Sequence, residues 1–447
     1  MPILPAQPVH DLDEYAAGGG GQALKLAREV GSDALIATVL DAGLRGRGGA
    51  GFPTGVKWRA VADHRAGGLT TTVVVNAAEG EPGSYKDRTI LRLDPYSVLE
   101  GALVAAVAVG ADAVVFGAKA SAIDELARVR QAIDEAGAAG WCDGVEVLVV
   151  EGPDAYLFGE ETALLEVLDG KPPFPRIAPP YREGVEASPI PTLVDNVETL
   201  ANVPAIVVDG PAAFRAVGTE QSPGTMVCTV TGAAAIHGVG EFAMGTSIRE
   251  VLDTIGGPGT ADAAVAVLPG VSGPLIPAAR FEALLAYETE DVAVGTGGFI
   301  VIGPDDDVVA VAEGVSRFLA VESCGQCTPC KADGLTLHET LTRIRTGGGR
   351  RADLDLLDLR VGTVANGARC ALGRQHEAVI ASVLQHFPDE LRRRVAVGVD
   401  DPGAYLVAPL LGFEDGRAVL DETFATKQPD WTHDEVDSGE WPAGGQR

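Results

Sequence analysis

Three cysteines fall within seven residues, Cys324, Cys327 and Cys330, and a fourth, Cys370, lies forty residues further on. Such a C-x2-C-x2-C loop can wrap three corners of a 4Fe–4S cube, and a fourth thiolate from another element closes the site. Structural zinc more often takes paired C-x2-C knuckles, and three cysteines on one tight loop suit its tetrahedron less well. The remaining alternative is ordinary reduced cysteines. The spacing favours the iron–sulfur reading. Cys142 and Cys228 stand alone and read as plain buried thiols. The N-terminus, MPILPAQPVHDLDEY, lacks the basic start and apolar core of a signal peptide. The expected location is therefore the cytosol, where thiols stay reduced.

A chain of 447 residues suggests two or three domains. Its formal net charge of −29 argues against sequence-independent nucleic-acid binding and against docking on anionic lipid through a basic patch. Hydrophobic residues make up 46%, enough for sizeable cores. No stretch reads as a membrane span: the best apolar run, after Glu100, is interrupted by Asp112.

The periodicity predicts a helix through Leu24, Ala27, Val30, Leu35, Ile36, Val39 and Leu40, then a glycine-rich loop from Gly43 to Gly55. A β-branched run, Thr70 to Val75, ends in Asn76. A helical pattern near Ile90 to Val109, a strand Ala113 to Phe116, a helix Ala120 to Ala136 and a strand Val145 to Val150 follow. Strands alternating with helices imply a parallel α/β sheet. Lys171 to Pro191 is Pro-rich and irregular. Near Thr225 the pattern becomes a compact α+β unit, and after Val308 it turns helical. From about Pro388 the pattern is hard to read, and the acidic end from Asp430, with Trp431 and Trp441, reads as a flexible tail.

Gly46-Arg47-Gly48-Gly49-Ala50-Gly51 satisfies G-x-G-x-x-G, but it follows a helical pattern rather than a strand, so the dinucleotide fingerprint lacks its usual context. Bare glycine amides let a phosphate or a flat ring approach closely. Arg45, Arg47 and Lys57 add positive charge to an acidic chain, and Phe52 offers a stacking face.

Longer strings surround that loop: Gly43 to Gly55 with Lys57-Trp58, Asn76 to Arg88, Phe158 to Leu165, Asp195 to Asn202, Glu322 to Lys331, and Cys370 to Gly373. Together, over roughly residues 40–385 and in the same order, they resemble the family of NADH-binding flavoprotein (F) subunits of respiratory complex I and of NAD-linked hydrogenases and formate dehydrogenases. The resemblance implies an α/β multi-domain chain. Residues 1–221 would carry N-terminal helices and a Rossmann-like FMN/NADH domain, and 222–307 a ubiquitin-like β-grasp (soluble-ligand-binding) domain. Residues 308–387 would form a helical bundle with the 4Fe–4S cluster, followed by a divergent extension, 388–447.

The same resemblance assigns roles residue by residue. Gly46, Arg47, Gly48, Gly49, Ala50, Gly51, Gly55, Lys57, Asn76, Glu79, Tyr156, Glu160 and Asn196 would hold FMN. Phe52, Glu81 and Glu161 would meet NADH, Gly159, Tyr181 and Thr199 would also bind cofactor, and Cys324, Cys327, Cys330 and Cys370 would ligate the cluster. The chain departs from the family's usual pattern at Ala60, Ala78, Phe158, Asp195 and Ala178. No protein acid or base is implied as catalytic, because hydride passes between two cofactors.

The expected activity is that of an NADH:acceptor oxidoreductase, with electrons leaving through the cluster to a thioredoxin-like 2Fe–2S subunit and further partners. The host could be a quinone oxidoreductase, peripheral on the cytoplasmic face of the membrane, or the diaphorase part of a soluble hydrogenase or formate dehydrogenase. A non-catalytic relay scaffold is the third reading. The tail from Asp430 reads either as a docking segment anchored by its tryptophans or as a solvated end.

Overall fold

The computed structural model describes residues 2–64, 71–176, 184, 185, 188, 191–289, 292–398 and 400–429. Tyr181, Ala178 and the acidic tail lie outside them.

The first unit starts with α1 (Leu12–Ala17), α2 (Gln22–Val30), α3 (Ser32–Ala42) and α4 (Thr54–Ala62). The single helix expected over Leu24–Leu40 is two, because Gly31 between them sits at φ +80°, a left-handed conformation that ends one helix before the next begins. There follow β1 (Thr71–Ala77), α5 (Lys86–Leu93), α6 (Pro95–Val109), β2 (Ala111–Lys119), α7 (Ile123–Ala138), β3 (Glu146–Gly152) and α8 (Glu161–Leu168). The unit ends in β4 (Leu193–Asn196), α9 (Val197–Ala201), α10 (Val203–Asp209) and α11 (Pro211–Arg215). The helical pattern near Ile90–Val109 is also divided, by Asp94-Pro95. Asp94 caps α6 by accepting from the amides of Tyr96 and Ser97, and Pro95 takes the first helical position, where no amide is needed.

The sheet order is β3-β2-β1-β4, all parallel, which makes a mixed α/β unit consistent with a Rossmann-like domain. α6 is buried along nearly its whole length. It therefore reads as continuously apolar rather than amphipathic, as a helix inside a core does. β1 sits between β2 and β4, so the strand order reverses at β1/β4. In open parallel sheets ligands bind outside the carboxyl ends of the strands at such a point. Asn76 and Asn196, at the carboxyl ends of these two strands, lie in register there.

The second sheet has the order β6-β5-β9-β7-β8, built from β5 (Thr225–Gly232), β6 (Gly238–Ala243), β7 (Ala266–Pro269), β8 (Ile276–Pro277) and β9 (Gly298–Ile302). Only β5 and β9 are parallel. α12 (Ile248–Gly256), capped by Ser247, packs its apolar side against β5 and β6, and α13 (Thr260–Ala263) follows.

The chain then packs α14 (Val308–Glu322), α15 (Thr328–Arg345), α16 (Arg351–Val361), α17 (Leu372–His386) and α18 (Pro388–Val397) on one another. A further segment forms the hairpin β10 (Leu410–Glu414) and β11 (Arg417–Leu420). This strap touches all three units. Arg88 Nη1 and the Tyr85 hydroxyl donate to the carbonyls of Leu410 and Leu411, both at 3.1 Å. Arg417 Nη1 donates to Ala234 O at 2.7 Å. Arg317 donates to the carbonyls of Phe424 and Lys427 at 2.5 and 2.7 Å. The order in this segment comes from long-range contacts, which local patterning does not display. Among the described residues no helix is long and apolar enough to cross a membrane.

Candidate functional site

The glycine loop is closed at its base by the amide of Gly46 donating to Phe52 O at 2.8 Å and that of Thr54 donating to Leu44 O at 2.9 Å. Gly49 and Gly51 sit at φ +113° and +62°, and a Cβ on Gly51 would collide with the Tyr287 ring. The loop borders a cavity of about 790 Å³ at the carboxyl ends of β1 and β4. That size is within the usual range for small-molecule and cofactor sites.

The structure brings together most of the residues singled out from the sequence. Gly46, Gly48, Gly49, Ala50, Gly51, Phe52, Lys57, Asn76, Glu79, Glu81, Tyr156, Gly159, Glu160, Glu161, Asn196 and Thr199 line this cavity, and so does Cys370. Two are placed elsewhere. The Arg47 side chain is fully buried and turned away, with Nε, Nη1 and Nη2 donating to the carbonyls of Thr225, Arg45 and Pro223 at 2.9–3.0 Å. It supplies no free cation to a phosphate; only its backbone reaches the site, donating to Thr199 Oγ1 at 2.8 Å. Gly55 lies inside α4, where a Cβ would meet the Leu40 backbone at 2.7 Å, so it serves the close approach of α3 and α4.

The inner wall is a buried ionic network. Lys86 Nζ lies 2.7 Å from Asp87 Oδ1, 3.0 Å from Asn196 Oδ1 and 3.0 Å from Glu198 Oε2. Burial alone would lower the Lys86 pKa, but Asp87, Glu198 and Glu79 more than offset it and hold the ammonium above its ordinary value. Glu198 accepts from the Val227 amide at 2.8 Å, which ties the wall to the second sheet. Glu79 accepts from Ser84 Oγ and from the amides of Lys86 and Arg88 at 2.7, 3.0 and 3.1 Å, anchoring the first turn of α5. Burial still raises its carboxyl above the usual range, and Asp87 adds to that.

Opposite, Glu81 accepts from the Tyr156 hydroxyl at 2.6 Å and from the Val271 amide at 2.7 Å. Burial raises its carboxyl, with these donors opposing the shift. Tyr156 OH also lies 3.3 Å from Gln375 Oε1, and its amide donates to Glu322 Oε2 at 2.8 Å. Asn76 Nδ2 donates to Gly159 O at 2.8 Å. Glu160 caps α8, accepting from the amides of Thr162 and Ala163 at 3.0 and 2.9 Å; its carboxyl is raised by burial.

At the mouth, Lys57 Nζ donates to Val194 O at 2.6 Å and to Glu161 at 2.9 Å. Beneath it Asp195 accepts from Trp58 Nε1 at 2.7 Å. Burial pushes the Asp195 carboxyl up to about 6 against the pull of Lys57 and Trp58. Phe52 is 54% exposed.

The four cysteines are free thiols. Ser323 Oγ lies 3.3 Å from Cys330 Sγ, Gln326 Nε2 donates to Cys324 Sγ at 3.5 Å, and the Arg369 amide donates to Cys327 Sγ at 3.4 Å. Burial raises Cys324, and lifts Cys330 to about 11 and Cys370 to about 12, with neighbouring cysteines adding to each shift. Burial and mutual repulsion favour the neutral thiols, so all four would ionise together only around a cationic centre. Among the described residues no three His, Cys, Asp or Glu side chains are spaced to hold a single metal ion. A 4Fe–4S cube takes four Cys thiolates, the donor set that Cys324, Cys327, Cys330 and Cys370 would supply.

Lys86, Asp87, Glu198, Tyr287 and Gln375 were not singled out from the sequence. The first three stand inside the quoted strings, where charges within otherwise buried segments were the available signal. Nothing local marks Tyr287 or Gln375.

Residues 39–205 match the Nuo51 FMN-binding domain family, and residues 310–394 the NADH-ubiquinone oxidoreductase-F iron-sulfur binding region. The chain is 38% identical over 398 residues to the F 2 subunit of the NADH-quinone oxidoreductase of Rhizobium meliloti (strain 1021), covering 85% of this chain and 93% of that relative. It is 35% identical over 396 residues to the corresponding F subunit of Streptomyces coelicolor, covering 86% and 88%. A solved NAD+-reducing [NiFe]-hydrogenase superposes with a TM-score of 0.77 at 33% identity, over 87% of this chain and 68% of that one. Relatives matched over nearly their full length, with both cofactor regions in order along one chain, establish that the protein belongs to the family of NADH-quinone oxidoreductase F subunits.

Proposed function

We propose that this chain is the NADH-oxidising flavoprotein subunit of a heteromeric electron-transfer complex, with FMN in the cavity and a 4Fe–4S cluster on Cys324, Cys327, Cys330 and Cys370. The observation that carries the reading is that Cys370 lines the same cavity as the glycine loop, so flavin and cluster ligand would share one wall. Bound there, FMN accepts two electrons as hydride and gives them up singly, which is the conversion that links a nicotinamide to an iron–sulfur centre.

The chain's own residues position and exclude. Amides of Gly46 to Gly51, with Lys57, Asn76, Gly159, Asn196 and Thr199, would hold the phosphate and ribityl chain. Glu79 and the Lys86 network keep the inner wall rigid. Glu160 holds the first turn of α8 beside the flavin, and Tyr156 closes the side towards the cysteines. Phe52 would stack on NADH, while Glu81 and Glu161 would accept hydrogen bonds from its carboxamide or ribose hydroxyls.

The five-stranded sheet with α12 supports the β-grasp assignment for 222–307, and the packing of α14–α17 supports a helical bundle for 308–387. The segment 388–429 would complete these units rather than stand apart. The partners would be a thioredoxin-like 2Fe–2S subunit and further electron carriers, in a complex on the cytoplasmic side. The hydrogenase neighbour favours one second reading, a diaphorase subunit of a soluble complex.

The test is anaerobic purification with iron and flavin analysis, followed by NADH addition. FMN, about four irons per chain and bleaching of the flavin absorbance are expected. Zinc in place of iron removes the cluster, and a flavin that stays oxidised under excess NADH leaves only a relay scaffold.

A further inference from the structure

Three lysines from distant parts of this acidic chain converge on Glu322, two residues before Cys324. Lys331 follows Cys330 directly and is 1% exposed. Its Nζ donates to the carbonyls of Ala320, Val321 and Ser323 at 2.9, 3.2 and 2.7 Å, where α14 runs into Cys324. Lys427 comes from the strap and meets Glu322 Oε1 at 2.5 Å. Lys119 ends β2, 7% exposed. Its Nζ lies so close behind Gly80, in the cavity wall, that a Cβ there would collide with it, and it lies within electrostatic reach of Glu322 and Lys427. That Nζ makes no hydrogen bond or ion pair among the described residues. Glu322, itself 5% exposed, is the carboxylate these cations share.

Three lysine side chains thus share one buried carboxylate. Burial pulls the Lys119 amine below its ordinary value, with Glu322 opposing, so a further anion nearby would favour its charged form. A 4Fe–4S cube on four thiolates is such an anion, and it becomes more negative on taking an electron. Net charge and hydrogen bonds around a cluster set its potential.

On the reading that the four cysteines carry this cluster, we propose that Lys119, Lys331 and Lys427 form a compensating cationic pocket that raises the cluster's reduction potential, with Glu322 opposing them. The pocket keeps the cluster a ready acceptor from the flavin side. Lys119 is the clean position to test, because its Nζ holds nothing else in place, whereas removing Lys331 would orphan three carbonyls.

The experiment is a redox titration of the full-length, cluster-loaded chain followed by electron paramagnetic resonance. Lys119→Met should make the one-electron reduction of the cluster about tenfold less favourable, a fall of about 59 mV, with iron content and line shape retained. Glu322→Gln, which keeps an acceptor for the Tyr156 amide, should move the potential the opposite way. A general loosening of the fold would not produce two shifts of opposite sign. An unchanged cluster potential in fully loaded Lys119→Met overturns the proposal, as does a shift of both variants in one direction or a fall confined to the flavin. A wild-type chain without iron overturns the underlying cluster assignment instead.

Discussion

On the inner side of the cavity Arg47, Lys86, Asp87 and Glu198 are at most 5% exposed, and each is bonded to the others or to backbone. At the mouth Phe52 is 54% exposed, and the Lys57 and Glu161 side chains are 25% and 48% exposed. The inner charges are spent on one another, so what that wall offers a ligand is fixed backbone and shape. The mouth keeps its groups accessible, and an exposed pair such as Lys57–Glu161 adds little stability. On the proposed placement, a flavin that must stay would meet the first kind of surface and a nucleotide that must come and go the second, with Lys57 at their border.

The sharpest way to break this contrast is Glu198→Gln, which leaves Lys86 and Arg47 short of a buried counter-ion. We expect a loss of about 3–5 kcal/mol, read as a lower unfolding midpoint together with reduced flavin retention. A midpoint equal to the wild type would show that the ionic network does not hold the inner wall.

Asp195 lies between the two surfaces, and its titration gives the second effect. Its folded carboxyl is raised from 3.8 to about 6, so the folded state binds the proton more tightly than the unfolded chain. That contribution is fully present below 3.8 and is lost as pH rises through about 6. At neutral pH the buried charge is therefore a net cost. Asp195→Asn should stabilise the protein by up to ~3 kcal/mol near neutrality and by progressively less as the pH falls through that window. Thermal unfolding of both proteins across the range checks it; a constant difference at every pH would remove the carboxyl as the cause.

The smallest effect belongs to the mouth. Phe52→Ala should cost about 1 kcal/mol of nucleotide binding, roughly a fivefold higher KM for NADH, with the unfolding midpoint unmoved. A KM that does not change places the adenine away from Phe52.

Much of this site was legible as strings. The glycine loop, Asn76, Glu79, Tyr156, Asn196 and the cysteines stand in or beside short contiguous motifs whose residue types answer to one chemistry. Arg47 shows the limit: a cation in a phosphate-like loop reads as a ligand group until the carbonyls of Pro223 and Thr225, far away in sequence, are seen to take its guanidinium. Two boundaries were of another kind. Gly31 and Asp94-Pro95 are local breakers, but the apolar periodicity runs on across them and masks the break. The strap was unreadable because β10, β11 and the turn after them owe their places to Arg88, His237 and Arg317 in three separate units.

The strap also makes the order of synthesis matter. Phe424 is buried and stacks on Phe318 at 5.5 Å, and Phe318 in turn packs edge-on to Tyr156 at 5.3 Å. Residues that leave the ribosome after all three units are thus the ones that fasten them, although those units began folding earlier. Until the strap emerges, the aromatic column behind Tyr156 lacks its outer member and Glu322 lacks Lys427. A nascent chain therefore passes through a stage in which the wall behind Tyr156 is still open, and that stage ends only once Phe424 and Lys427 have emerged.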